Sequence, residues 1–137
     1  MKILLSFFFV LFFFLTNCNT DNESIISENN NDPTRIIDLA GYRYGLYGNR
    51  WYTMANENRG DLVDTCHVIL RLVNDGDVNN YDFTKISLPK LNVIRVLTDS
   101  YYEVEIPSEL NSFDTAEKLW NSGDFQELVF NVFISVY

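Results

Sequence analysis

The chain has 137 residues, 47% of them hydrophobic and 15% aromatic, with 10 basic and 19 acidic side chains. That suffices for one domain with a single core, and the formal charge of −9 repels phosphate backbones, which argues against a nucleic-acid partner. Two cysteines and one histidine make no Cys/His cluster of zinc spacing, so no metal and no other cofactor is expected.

In chain order, Met1-Lys2 opens an apolar run from Ile3 to Leu15 that only Ser6 interrupts. A basic start, a short apolar stretch and a polar exit describe a secretory signal peptide over residues 1–17, and the run is shorter than the roughly 20 residues a membrane span needs. Leu15-Thr16-Asn17-Cys18 resembles a bacterial lipobox. Asn before the cysteine, with Asp21 and Glu23 soon after, is similar to the pattern of Bacteroidetes-like lipoproteins. The resemblance implies that Cys18 becomes the lipidated first residue of a mature chain. It would then carry a diacylglycerol thioether and an N-acyl group such as palmitate, and sit in the cell envelope at the outer membrane. More than one acyl chain is what stable anchoring requires. The plainer alternative is an ordinary signal peptide cut near residues 16–20. Loss of residues 1–17 removes Lys2 alone among the charged side chains and leaves a formal charge of −10.

Residues 18–35 read as an Asn-rich polar tether, and residues 36–137 as a single domain. Tyr42–Tyr47, then Gly48-Asn49, then Arg50–Met54 predicts an aromatic β-hairpin with a two-residue turn. Its aromatics either pack the hairpin on a sheet or form a ligand-stacking platform of Tyr44, Tyr47, Trp51 and Tyr52. Asp64–Val73 alternates like a central strand, with Cys66, Val68, Leu70 and Leu72 on one face and His67, Ile69, Arg71 and Val73 on the other. Cys66 and His67 are neighbours and so point to opposite faces, which makes Cys66 a core residue rather than a nucleophile or metal ligand. Lipidation of Cys18 would exclude a Cys18–Cys66 disulfide, since both use the same sulfur.

Asn74–Asp77 signals a turn, and Asp75-Gly76-Asp77 lacks the spaced acidic ligands of a calcium loop. Residues 78–90 read as a weak helix or a loop; as a helix, Val78, Tyr81 and Ile86 would share one side and Pro89 would stop it. Leu91–Leu97 predicts a strand. Tyr101–Ile106 predicts another, with Tyr102, Val104 and Ile106 inward and Glu103 and Glu105 as solvated surface. Asp114 with Glu117 marks a capping box for a helix that buries Phe113, Ala116, Leu119 and Trp120 and ends at Gly123. Phe125–Tyr137 is a closing apolar strand. The expected fold is α+β: a small antiparallel or mixed sheet with one or two helices on one face, of the ferredoxin-like split β-α-β kind. No carboxylate pair, metal cluster or nucleophile context stands out, so the chain is not expected to be an enzyme.

Tyr101–Pro107 followed by Phe113–Phe125 (FDTAEKLWNSGDF) resembles the closing half of secreted subtilase prodomains, a strand, a helix ending in Ser-Gly, and a last strand. Tyr42-Arg43-Tyr44 and Asn49-Arg50-Trp51 look like the aromatic opening strand of fervidolysin-type members, so the likeness spans residues 42–137. The proline usual in the last strand is missing after Phe125, and no protease follows. The resemblance implies a free-standing, non-catalytic protein-binding module that inhibits or assists a secreted subtilisin-type protease. Val132, Ile134, Val136 and Tyr137 would be the segment placed toward the enzyme's cleft. The alternative is an envelope lipoprotein with a structural or small-ligand or carbohydrate-binding role.

Overall fold

A computed structural model describes residues 32–133. Its elements are β1 (Arg35–Leu39), β2 (Tyr42–Tyr47), β3 (Arg50–Ala55), β4 (Asn58–Leu72), β5 (Asn92–Thr98), β6 (Tyr101–Glu105), α1 (Ser112–Asn121) and β7 (Phe125–Phe133). The fold is a sheet-dominated α+β arrangement in which every strand pair is antiparallel.

The first four strands form a meander joined by two-residue turns. Their registers close at Leu39↔Tyr42, Tyr47↔Arg50 and Ala55↔Asn58. Hairpins this tight need positive φ to match the strand twist. Gly41 (85°) and Gly48 (64°) supply it at no steric cost and Asn56 tolerates it well, whereas Ala40 and Glu57 adopt it against preference. The expected hairpin is therefore β2–β3. The β3–β4 turn at Asn56-Glu57 lacks a glycine, and β1 joins β2 through Gly41, so the meander is longer than the expected hairpin. Pairing begins with Thr34, whose N–H and hydroxyl both donate to the Leu46 carbonyl (2.7 and 3.1 Å).

β4 is the expected central strand and is 15 residues long. One of its edges pairs β3 and then β6, while β7 runs along the other. Between Asp64 and Val68 the register slips, so that Asn131 and Phe130 of β7 sit opposite residues four apart on β4. Asp64 holds this bulge: its carboxylate accepts the Cys66 N–H (3.0 Å) and contacts His67 Nδ1 (2.7 Å). The strict alternation expected from Asp64 onward thus starts only at Val68, which is fully buried with Leu70.

At Val68, β6 and β7 flank β4 through Val104 and Phe130. Both oppose β4, so they run parallel to each other, and α1 connects them. A ferredoxin-like domain packs two α-helices on its sheet, and the described residues carry one. Where a weak helix or a loop was expected, over residues 78–90, there are two 3₁₀ turns, Val78–Asn80 and Phe83–Ile86. Asp77 accepts the Asn79 N–H and Asp82 accepts the Thr84 N–H, so each carboxylate starts a turn too short to become a helix. Val78, Phe83, Leu88 and Leu91 still reach the core. The α1 cap is also displaced from expectation. Asn111, not Asp114, caps the helix by accepting the Asp114 N–H (3.0 Å), and Asp114 becomes its third residue. Gly123 takes the left-handed position (φ 77°) beyond its end.

Phe113 joins the two halves of the sheet. Its ring lies 4.3 Å from Trp51 of β3, 5.6 Å from Tyr44 of β2 and 4.6 Å from Phe130 of β7. The Tyr44 hydroxyl accepts the Phe130 N–H at 3.5 Å, and burial pushes the phenol up to about 12. Burial, followed by donation to Asp124 (2.7 Å), also raises Tyr81 to about 12. Both folded values exceed the unfolded value of about 10, so their contribution is intact below pH ~10 and is lost as pH rises toward ~12. We expect the urea midpoint to fall over that window. The Tyr44→Phe protein should show a shallower fall, and absorbance at the phenolate band should show Tyr44 and Tyr81 titrating late, with Tyr102 also raised by burial.

Candidate functional site

The β2–β3 register sorts the hairpin side chains onto two faces. Tyr44↔Thr53 and Leu46↔Trp51 face α1, and Arg43↔Met54, Gly45↔Tyr52 and Tyr47↔Arg50 face away. The four aromatics expected to form a platform therefore do not share a surface. Tyr44 is fully buried and Trp51 packs on Phe113, so both belong to the core. Tyr47 and Tyr52 meet edge to face on the outer side, 5.7 Å apart.

Arg59 of β4, paired with Met54, completes that outer side. Its guanidinium lies 4.9 Å from the Tyr52 ring and 5.6 Å from the Tyr47 ring, a double cation–π contact that leaves the charge exposed. Gly45 is the floor. A Cβ there would stand 2.7 Å from Met54 Sδ and 2.8 Å from the Tyr47 ring, so a side chain would displace the cluster. At the rim, Arg43 makes a two-point contact with Asp38 (2.7 and 3.3 Å), which holds the Asp38 carboxyl below its ordinary value. Arg50 and Arg59 are in no ion pair among the described residues. Two exposed, unneutralised guanidiniums beside tyrosine edges favour an anionic group, carboxylate or phosphate, over a neutral one.

The local charge agrees. Residues 35–59 hold four arginines against two acidic residues, whereas residues 60–133 hold five basic against thirteen acidic. Sequence reading missed Arg59 and Gly45. The available signals were a glycine in mid-strand, which marks a close approach, and arginines recurring around the hairpin.

Other positions offer less. Val132 is half-buried opposite Val63 in β7, while Ile134, Val136 and Tyr137 lie outside the described residues, as does Cys18. Cys66 is disulfide-bonded, which removes it from nucleophile or ligand chemistry. Glu103, expected on the surface, is buried (5% exposed). It accepts from Asn131 (2.8 Å) and pairs with Arg95, so it is spent within the sheet. Asp75 and Asp77 are engaged with Arg71, Gln126 and Asn79. Ile94, Val96 and Leu97 leave β5 with an apolar exposed edge, interrupted by two register shifts. A shallow, open depression of about 550 Å³ beside α1 is lined by Ile86, Asp114, Glu117, Lys118, Asn121 and Ser122, without convergent aromatic or buried polar groups. Among the described residues no group of three or more His, Cys, Asp or Glu is placed to hold a metal ion, and no helix is long and apolar enough to cross a membrane.

Comparison of the chain with protein-family models, curated proteins and solved structures finds no match.

The Gly45→Ala protein is expected to lose about 1–3 kcal/mol, the usual cost of overpacking. Urea unfolding would measure it. Combining the change with Met54→Ala should recover part of the loss, because the Met54 side chain is the nearest obstacle.

Proposed function

We propose that this chain is an exported, non-catalytic binding module of the cell envelope whose working surface is the arginine–tyrosine face of β2, β3 and β4. The observation that carries the reading is the pair of exposed, unneutralised arginines, Arg50 and Arg59, on a built aromatic floor in an otherwise acidic domain. The N-terminal sequence supplies the address, a signal peptide over residues 1–17 and lipid attachment at Cys18. Labelling of cells with radioactive palmitate should mark the protein and should fail for Cys18→Ala. The alternative is a soluble secreted form whose Cys18 carries no acyl group. Intact mass under non-reducing conditions separates the two. Acyl groups add mass to the chain from Cys18, whereas an intrachain disulfide leaves it two hydrogens lighter than its reduced form. The second result would remove the anchor and keep the binding module.

A second reading is supported by the order of β6, α1 and β7. Subtilase prodomains close on a strand, a helix and a last strand in that order, and in this chain Val132 precedes Ile134, Val136 and Tyr137. In this reading the sheet docks a secreted subtilisin-type protease and the terminal segment enters its cleft. Titration of the mature chain against such proteases should then give inhibition at sub-micromolar concentration that disappears when residues 134–137 are deleted. Inhibition that survives the deletion, or none from the intact folded chain, would sink it.

A further inference from the structure

We infer that the arginine–tyrosine face docks the domain flat against an anionic phospholipid surface. The inference rests on the binding-face reading above and names the partner of that face. Charge complementarity is the first argument. Arg43, Arg50 and Arg59 lie on one face, with Arg43 paired to Asp38; residues 35–59 carry an excess of two positive charges, and residues 60–133 an excess of eight negative ones. An anionic surface therefore attracts this end and repels the other. At about 0.1 M salt the screening length is about 10 Å, so charges at the far end of the domain are largely screened once the meander is in contact.

The side chains fit a headgroup layer. Tyr47 is nearly buried (7% exposed) and Tyr52 half-buried, and Arg59 lies over both rings, so the face offers no bare stacking plane. A sugar ring would have to displace that guanidinium to stack, whereas a phosphate needs only to approach it. Tyrosine beside arginine is the composition of interfacial anchors, with an apolar body and a polar tip. The entry of the chain is the second argument. β1 is the first described strand after Cys18, and Thr34 enters the sheet beside Leu46, on the strand that carries Arg43 and Tyr47. The chain thus enters the fold beside the strand that carries the basic face.

The test uses the unacylated mature chain, residues 18–137, which contains every described residue. It would be sedimented with vesicles of about three parts phosphatidylcholine to one part phosphatidylglycerol, and with phosphatidylcholine alone. Binding is expected only to the anionic vesicles, and it should vanish as salt approaches about 1 M. Arg50→Ala and Arg59→Ala should each weaken partitioning about fivefold, and together about 25-fold, with the unfolding midpoint unchanged for Arg50→Ala and slightly lowered for Arg59→Ala through its lost ring contacts. Arg50→Lys with Arg59→Lys should bind nearly as well, since a headgroup layer reads charge more than fork geometry. Loss of binding in the lysine protein, or binding indifferent to the alanine changes, would overturn the proposal. A parallel titration with polygalacturonate separates the levels of failure. If the polymer binds through Arg50 and Arg59 while vesicles do not, the membrane inference fails and the binding face stands. If neither binds, both fail.

Discussion

β4 must serve three partners, and the carboxylate of Asp64 makes that possible. A strand that paired β3 and β6 in one unbroken register along one edge would need those two strands to be collinear. The bulge after Asp64 lets β4 change course between them, so β3 lies at one end of that edge and β6, with β5 beside it, at the other, while β7 follows the opposite edge. Inserted residues forfeit ladder bonds, and a buried backbone N–H left unpaired costs about 1–3 kcal/mol. Asp64 meets part of that demand by accepting the Cys66 N–H and contacting His67, while the Cys66 carbonyl accepts the Ile106 N–H just beyond β6. The bulge is thus a satisfied feature rather than a defect. The placement of Tyr44 against Phe130, and of Phe113 between them, follows from the turn it introduces.

The same sheet shows how a charge can be buried. Glu103 lies opposite Ile69 on β4 and Arg95 on β5, and Asn131 reaches it from β7. An unpaired carboxylate at this depth would shed its charge or destabilise the fold, so the register of three strands is tied to one side chain. Removing Arg95 alone would leave that charge with only an amide. This makes β5 more than a covering strand, although its outward side chains are exposed. Its register shifts and its arginine are also the usual protection of an open edge, which weighs against reading Ile94, Val96 and Leu97 as a site by themselves.

What the sequence displayed, and what it hid, divides along physical lines. Gly48-Asn49, the alternation in Tyr101–Ile106 and Gly123 after α1 are local signals, and each marks a feature the structure contains. Asn56-Glu57 takes positive φ at both positions without a glycine, because the pairing of β3 with β4 outweighs the local preference of Glu57. The burial of Glu103 was illegible for a different reason. Its partners are 8 and 28 residues away, and alternation reports which face a side chain takes but not what covers that face. Asp77 and Asp82 resemble helix starts in sequence, yet each caps a 3₁₀ turn, a distinction set by how soon the chain must return to the core at Val78, Phe83 and Leu88.

The aromatic hairpin shows the limit most clearly and bears most on function. Tyr42 to Tyr52 reads as one aromatic patch in sequence, and period-two geometry divides it in space. Tyr44 and Trp51 go to the core because Phe113 and Phe130 offer them edges, and Tyr47 and Tyr52 go outward because Gly45 leaves them room. A valine at position 45 would have made an ordinary strand and removed the floor under Tyr47. Once the outer pair is in place, Arg59 gains more from two rings than from solvent, and its charge is fixed above the sheet instead of sweeping through water. Arg50 stands beside it at the turn, opposite Tyr47. Positive charge held at fixed positions on a rigid meander gives an acidic protein one direction from which an anion can approach.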